Sequence, residues 1–445
     1  MIRSRARWAT AGLAVTALAG LSACSAGGTP AASTETEGEA AGPVTIEVWD
    51  WNAETGEQIA DAFNEAQDDV EVKFVLQASN VATQTNFQNA MEAGSGVPCL
   101  VKGFAPLTTM VVNGWAQDIT EQVEGSADLY NEGALSAAQV NGQYYGLPSG
   151  SDGQFYIVNQ KPFEKYDVEV PTTWDEFVEA GRELGAHGVD ITNLAGEDPS
   201  SLMNLAQQGG AEWFAIDGDQ WVVNFTDDGT LAAADIFQQL IDEDLVSNQT
   251  YMDKPALLKY FDSGKMASVT TQWWSLGGYQ VGFTDSAGDW AAHPIPQFAD
   301  AAAPVTPGRT LPSFVPVGCE EPEAVMAYTD WLTTPEAVEA GRNAETGAVG
   351  FPTQIQDPSP YVEEVVPKDF FTDEKAVGEE IVAAQETVIG KFELGPNYDA
   401  WFPELQDQWG KAVAGKITLE EAMTAVEEFV ASDLESKGIS YTVAE

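Results

Sequence analysis

The sequence predicts an α/β fold. Residues 44–76 show in turn the patterns of a strand, a helix and a second strand. Two later stretches carry capping boxes, which mark the start of a helix. The 445 residues are 44% hydrophobic and include 13 Trp and 20 Phe, so the chain has ample apolar surface to bury. Its length predicts two or three packed units rather than one.

The first predicted elements form a strand-helix-strand unit. Residues 44–49 alternate between apolar and polar types as a half-buried strand does. A helix follows with Ile59 and Phe63 on one face, and 70–76 reads as the next strand. Such a unit favours a parallel sheet, whose ligands bind beyond the carboxyl ends of the strands.

Later elements are marked by turn and capping chemistry. Thr173 with Glu176 and Thr418 with Glu421 match the capping box, in which the two side chains satisfy free N–H groups at a helix start. Residues 215–223 place an Asp-Gly turn between two strand-like runs and predict a hairpin. We find no internal repeat.

The charge balance excludes several classes of protein. The chain has 70 Asp and Glu against 19 Lys and Arg, a formal net charge of −51, and only two His. Such a surface repels polyanions, so a nucleic-acid partner is excluded. A histidine-rich metal enzyme is excluded as well, and we expect no cofactor.

The amino terminus has the pattern of a secretory signal. Three arginines precede the uncharged stretch 8–21, which is too short to span a bilayer comfortably. The stretch ends in Leu21-Ser22-Ala23-Cys24, which resembles the lipobox of bacterial lipoproteins. We therefore expect a signal peptide over 1–23, acylation of Cys24, and a flexible tether over 24–43 that anchors the protein to the extracytoplasmic membrane face. The alternative is an ordinary secretory signal with an incidental cysteine.

Two further cysteines remain after such processing. Cys99 and Cys319 would lie in an oxidising compartment, where a disulfide between them is our preferred interpretation over two free buried thiols. The bond would close a long loop and stabilise the fold by about 4–5 kcal/mol in the chain-entropy description.

A series of motifs runs through nearly all of the chain after the tether. In order they are 46–52 (IEVWDWN), 94–98 (GSGVP), 113–119 (NGWAQDI), 141–148 (NGQYYGLP), 156–159 (YIVN), 171–177 (PTTWDEF), 261–267 (FDSGKMA) and the pair Trp273-Trp274. By their order and spacing the chain resembles the extracellular solute-binding proteins of carbohydrate ABC importers, the group that includes the maltose-binding proteins. Cys99 is a departure, because the family commonly has an acidic residue there.

The resemblance implies a two-lobed periplasmic-binding-protein-like fold, often called a Venus flytrap, with three crossing hinge strands. The implied crossings lie near 155–158, 294–299 and 347–353. The implied lobe one is 44–153 with 300–346, and the implied lobe two is 158–294 with 354–445. Cys99 and Cys319 both fall in lobe one under this division.

Sugar chemistry indicates which residues to consider as ligand contacts. Sugars present hydroxyl groups in the ring plane and polarised C–H groups on their faces, so a binding site needs carboxylates or amides together with aromatic planes. Trp273 and Trp274 follow an apolar strand and match the family's stacking-tryptophan region, and we expect at least one to contact ligand. Trp401 or Phe402 lies where maltose-binding proteins place a stacking aromatic residue.

Other candidates come from their position in the predicted elements. Trp51 and Asn52 follow the first strand at its carboxyl end, the side on which ligands bind. Asp152 lies in a small-residue loop beside the first crossing, where it is either a hydroxyl acceptor or a turn aspartate. The weaker candidates of the same kind are Gln77, Phe104, Arg309 and Phe351.

The resemblance implies that the protein is a monomeric, lipid-anchored binding component that delivers sugar to ABC permease subunits. Only three arginines follow the signal and they are dispersed, so a neutral mono- to oligosaccharide fits better than a phosphorylated ligand. We expect no enzyme activity. The alternatives are an extracytoplasmic glycoside hydrolase, which needs two facing carboxylates, and a sugar-binding partner of a sensor kinase.

Overall fold

The computed structural model describes residues 42–53, 55–218, 220–308, 311–344, 346–389 and 392–444. The predicted signal peptide, Cys24, nearly all of the tether and Arg309 lie outside the described residues. Within the described ranges helices and strands alternate along the chain, which confirms the predicted α/β class.

The strands are short, and several stand next to a parallel neighbour. They are β1 (Val44–Asp50), β2 (Val70–Leu76), β3 (Leu100–Val101), β4 (Gln139–Val140), β5 (Gln143–Tyr144), β6 (Phe155–Asn159), β7 (Thr192–Asn193), β8 (Phe214–Asp217), β9 (Gln220–Val223), β10 (Val246–Ser247), β11 (Ser268–Thr271), β12 (Trp290–Pro294) and β13 (Tyr441–Val443). One sheet has the order β2-β1-β3, another β11-β6-β12, and a third β13-β9-β8.

The helices carry more of the described residues than the strands do. They are α1 (Gly56–Ala66), α2 (Asn80–Ala93), α3 (Leu107–Val112), α4 (Thr120–Ser126), α5 (Glu132–Ala137), α6 (Gln160–Tyr166), α7 (Trp174–Gly185), α8 (Ser200–Gln208), α9 (Asp228–Asp242), α10 (Lys254–Asp262), α11 (Leu276–Gly282), α12 (Pro322–Trp331), α13 (Pro335–Ala340), α14 (Val362–Val365), α15 (Glu374–Glu386), α16 (Tyr398–Val413) and α17 (Leu419–Lys437). In the described part of the chain, none of these helices combines the length and the apolar character needed to cross a membrane.

The sheet around β1 separates two hydrophobic cores. β1 pairs in parallel with β2 over its whole length and with β3 near its carboxyl end. Ile46 packs into a core that includes Phe63 of α1, whereas Trp49 packs into a second core that includes Phe314. The two residues face opposite sides because successive side chains of a strand alternate, which is the pattern that predicted this strand.

The strand β6 organises a second pair of cores. All five of its residues are buried, and β11 and β12 pair with it antiparallel on either side. Phe155 and Ile157 pack into one core with Trp290 of β12, and Tyr156 and Val158 pack into another. A strand that is buried on both faces has an unbroken apolar run, as residues 155–158 do.

The local signals that predicted later elements are confirmed. The capping box at Thr173 starts α7: the Glu176 N–H donates to Thr173 Oγ1 at 3.2 Å, and the Thr173 N–H donates to Glu176 Oε2 at 3.2 Å. A second capping box at Thr418 starts α17. β8 and β9 form the antiparallel hairpin predicted from the Asp-Gly turn. These signals act within a few residues, so they do not depend on distant packing.

The predicted disulfide is present in the structure. Cys99 and Cys319 are bonded, with their Cα atoms 4.9 Å apart and 220 residues between them in sequence. Cys99 directly precedes β3, and Cys319 lies shortly before α12 and packs in the same core as Ile46. The bond therefore joins two distant segments of one hydrophobic core.

Candidate functional site

Charged and aromatic side chains meet where β1 and β3 end. The sheet order β2-β1-β3 places successive connections on opposite sides of β1, and ligands of α/β proteins bind at such a switch point. Asp50 ends β1, Trp51 follows it, and Lys102 follows β3. Lys102 Nζ lies 3.0 Å from Asp50 Oδ1 and 4.9 Å from the centroid of the Trp51 ring. A cation is thus held between a carboxylate and an aromatic face at the predicted ligand edge.

Lys102 was missing from the sequence-derived candidates. The signal that selected Trp51, a position just beyond the carboxyl end of a strand, applies equally to Lys102 after β3. Only two residues of β3 are extended, and so short a strand weakens that signal.

Asn52 and Gln77 shape the loops at this edge. The Asn52 side chain donates to Thr55 Oγ1 at 2.8 Å, and its backbone N–H donates to Asp50 Oδ1 at 3.0 Å. Gln77 is buried and accepts a hydrogen bond from Asn86 Nδ2 at 2.9 Å. Both amides already have protein partners, so a contact from either to a ligand stays a prediction.

Asp152 lies in segment 148–154, which carries the chain from the core around Leu147 to β6. Its Oδ1 accepts a hydrogen bond from the indole N–H of Trp273 at 2.8 Å. Asp152 and Trp273 are 121 residues apart in sequence and were predicted independently as site residues. The structure brings these two together.

Burial dominates the electrostatics of Asp152. It raises the pKa of the Asp152 carboxyl to about 6, although the hydrogen bond from Trp273 and the positive charge of Lys102 act in the opposite direction. Lys102, which follows β3, therefore acts on Asp152 through its charge. The candidate site therefore includes Asp152, Trp273, Lys102, Asp50 and Trp51.

The tryptophan pair divides into one anchored ring and one exposed ring. Trp273 and Trp274 occupy a 3-10 turn directly after β11. Trp273 is partly buried, and its ring meets Phe351 in an edge-to-face arrangement with centroids 6.4 Å apart. Trp274 is 58% exposed. Phe351 is buried in the core around Phe155, so Trp273 packs against that core on the side of Phe351.

The remaining aromatic candidates differ in exposure. Trp401 is 1% exposed and packs with Phe214 and Phe225 in the core of Tyr156. Phe104 is buried in the core of Trp49. Phe402 is only partly buried. Of the two alternatives predicted at 401 and 402, the stacking role fits Phe402 better, because a ring must be reachable to meet a ligand.

The amino end of α16 connects the two pairs of cores. Tyr398 packs against the core of Trp49 and also against the core of Tyr156. Beside it, burial raises the pKa of the Asp399 carboxyl. The described conformation thus brings α16 into contact with elements of the β1 sheet.

No group of three or more His, Cys, Asp or Glu side chains in the described ranges is arranged to hold a metal ion. Within the described ranges, the candidate site consists of two aromatic rings, two carboxylates and one ammonium group. Such a set can form hydrogen bonds with hydroxyl groups and contact apolar faces.

Solved structures establish the fold. The chain is similar to the galacto-N-biose-/lacto-N-biose I-binding protein of an ABC transporter from Bifidobacterium longum, solved in complex with lacto-N-biose. The TM-score is 0.77 at 24% identity, and the match covers 91% of this chain and 100% of that chain. The protein therefore has the two-lobed α/β fold of periplasmic binding proteins.

Two curated relatives match parts of the sequence. An arabinooligosaccharide-binding protein of Halalkalibacterium halodurans is 22% identical over 48% of this chain and 49% of its own length. A lactose-binding protein of Rhizobium radiobacter is 32% identical over 36% of this chain and 37% of its own length. The chain thus spans about half or less of the length of these relatives.

A family model covers a larger part of the chain. The model described as bacterial extracellular solute-binding protein matches residues 50–339. The matched range includes Trp51, Lys102, Asp152 and Trp273. The chain belongs to the family of bacterial extracellular solute-binding proteins.

Proposed function

We propose that this protein is the lipid-anchored substrate-binding component of an ABC sugar importer. It captures a neutral mono- to oligosaccharide between its two lobes and delivers the sugar to the membrane permease. The ligand leaves chemically unchanged. The sugar-binding activities named for its relatives, with arabinooligosaccharide, lactose and lacto-N-biose, support a carbohydrate ligand.

The observation that carries this proposal is the hydrogen bond between Asp152 and Trp273. The tryptophan rings supply planes for the faces of a sugar, and Asp152 and Lys102 supply an acceptor and a donor for its hydroxyl groups. Oδ1 of Asp152 is taken by Trp273, which leaves its second oxygen to accept from a hydroxyl group.

A neutral ligand fits the distribution of charge. Arg182 is engaged by Glu179 and Glu243, and Arg342 by Glu339 and Glu364, all in exposed ion pairs outside the site. Lys102, the one ammonium group among the described residues of the site, already has Asp50 as its counter-ion. A phosphorylated ligand would need positive charge that these side chains do not provide.

Binding proceeds by hinge closure. The proposed lobe one, 44–153 with 300–346, carries Trp51 and Asp152, and the proposed lobe two, 158–294 with 354–445, carries Trp273. A sugar that contacts both lobes stabilises the closed form and so shifts the population toward it. The packing of Tyr398 against the core of Trp49 is a contact that closure forms and opening breaks.

The amino-terminal region provides the anchor. Signal cleavage after residue 23 leaves Cys24 to carry the acyl chains, and the tether 24–43 gives the folded part reach to the permease. Globomycin treatment of producing cells tests this, because it blocks lipoprotein signal cleavage and leaves a precursor of higher mass. A mature protein of unchanged mass without acyl chains contradicts the anchor.

The ligand is found by a thermal-shift screen of neutral sugars, because a ligand that binds only the folded state raises the melting temperature. Lactose, lacto-N-biose and arabino-oligosaccharides are the first probes. A hit is confirmed by calorimetry, and the sugar is recovered intact by chromatography. Hydrolysis of the bound sugar would support the glycoside hydrolase alternative, and no binding by any neutral sugar would overturn the proposal.

A further inference from the structure

The loop that carries Asp152 is held by two close backbone contacts. A Cβ added to Gly150 would lie 2.3 Å from the carbonyl carbon of Thr353, and one added to Gly153 would lie 2.4 Å from the carbonyl oxygen of Ala384. Real Cβ atoms do not approach other atoms so closely, so both positions need glycine. The carboxylate of Asp152 is therefore presented from a fixed backbone.

The ring that Asp152 meets is also held by an aromatic neighbour. The indole N–H of Trp273 donates to Asp152. Phe351 packs against the ring edge to face, with the two ring centroids 6.4 Å apart. With its N–H bonded to Asp152 and Phe351 packed against it, the indole is held at two places although part of its surface stays exposed.

Among the described residues, the hydrogen bond to Asp152 is the polar contact that holds the Trp273 ring. Trp273 begins its turn without a side-chain cap, and its indole nitrogen has one hydrogen-bond partner. Without that partner, the ring could rotate about its side-chain bonds into the exposed part of its surroundings.

We propose that Asp152, besides offering its second oxygen to a sugar hydroxyl group, is a positioning residue that acts through Trp273 by holding the indole ring in its stacking orientation before sugar arrives. This inference rests on the proposed function for its consequence in binding, but the positioning itself exists in the ligand-free protein. Holding the ring in advance removes the cost of ordering it on binding, which is about 2- to 12-fold in affinity for one side chain.

The first test uses the ligand-free protein and the indole N–H resonances of ¹⁵N-labelled tryptophan. The Trp273 resonance is assigned by its loss in Trp273→Phe. Asp152→Ala is expected to shift that resonance strongly, whereas Asp152→Asn, whose amide oxygen can still accept the bond, keeps it closer to wild type. The indole of Trp213, which donates to Thr230 Oγ1 at 2.7 Å, is the internal control and stays unchanged.

The second test is a double-mutant cycle that measures the sugar affinity of Asp152→Ala, Trp273→Phe and the double variant. Lactose is the first probe, and if it does not bind, the sugar selected by thermal shift replaces it. Trp273→Phe keeps an aromatic ring but removes the N–H. Asp152→Ala is expected to weaken binding about 2- to 12-fold more in the wild-type background than in the Trp273→Phe background, where only its hydroxyl contact remains to be lost.

Two results overturn the positioning role. One is an Asp152→Ala protein whose Trp273 resonance is unchanged, and the other is a cycle in which the two losses multiply in full. A protein that binds no sugar refutes the proposed function. It does not affect the test of the positioning role, because the Trp273 resonance is measured without ligand.

Discussion

Trp273 and Trp401 show how one residue type serves two regions of this molecule differently. Trp273 lies in a turn after β11 and is partly exposed, and its indole N–H donates to the carboxylate of Asp152 in segment 148–154. Trp401 lies inside α16, is buried among aromatic rings, and its indole nitrogen has no hydrogen-bond partner among the described residues. The first ring is oriented by a polar bond, and the second is held by packing alone.

The difference indicates where each ring contributes free energy. A buried ring surrounded by Phe214, Phe225 and Trp213 stabilises the fold by removing apolar surface from water. A ring that is anchored but partly open has apolar surface left to give to a ligand. We therefore expect substitutions of Trp401 to change stability and substitutions of Trp273 to change affinity.

The largest expected effect is on stability. Trp401→Ala should lower the free energy of unfolding by about 3–5 kcal/mol, because it removes a large buried side chain and leaves a cavity. Urea denaturation followed by circular dichroism measures the loss. Sugar affinity of the folded fraction should stay near wild type. A variant as stable as wild type that binds sugar poorly would place Trp401 at the ligand instead.

The next effect is on binding. Trp273→Ala should weaken sugar binding by about 1.5–3 kcal/mol, the value of burying an apolar side chain, with a smaller effect on stability. Isothermal titration calorimetry provides the affinity. Trp274→Ala is the matched control, since Trp274 is the neighbouring residue and is more exposed. If Trp274→Ala abolishes binding and Trp273→Ala does not, the stacking ring is Trp274.

The smallest effect depends on pH. The pKa of Asp152 is raised by burial to about 6, so the fold disfavours its charged form. The loss of folding free energy from burying the charged carboxylate is absent below the pKa that Asp152 has in the unfolded chain, about 4. It is complete once the pH has risen through the pKa in the folded protein, about 6. Asp152→Asn should therefore match wild type at pH 4 and be more stable by about 1–2 kcal/mol at pH 8, after allowance for partial exposure.

Melting temperatures at intervals from pH 4 to pH 8 measure this difference. Asp68→Asn, a substitution at an exposed position between α1 and β2, is the control for removing one negative charge from a strongly acidic protein. Asp152→Asn and Asp68→Asn proteins with the same dependence on pH would show that Asp152 is not specially buried.

Local patterns predicted much of the fold. Alternation identified β1 and β2, and capping boxes identified the starts of α7 and α17, because strand alternation and helix capping act between residues that are near in sequence. The disulfide was also predicted, since the compartment and the cysteine count left few alternatives. Motif order supported the family, to which the chain belongs.

The candidate site was predicted as a set of residue types but not as an arrangement. Asp152 and Trp273 were each chosen alone, and nothing in either local sequence indicates that they share a hydrogen bond. Lys102 was not chosen, although it completes the group with Asp50 and Trp51. The sequence did not decide whether Trp401 or Phe402 is the exposed ring. Neighbouring residues of a helix point in different directions, and the elements that pack around the helix determine which direction is buried.

Strand and helix positions, the disulfide partners and the family thus follow from residue order and short-range chemistry. The tertiary structure alone decides which tryptophan is open and which is enclosed, because exposure depends on segments hundreds of residues apart. It also sets the pKa of Asp152, through burial, the indole of Trp273 and the charge of Lys102. Desolvation and charge act through space, and the distances that govern them exist only once the chain has folded.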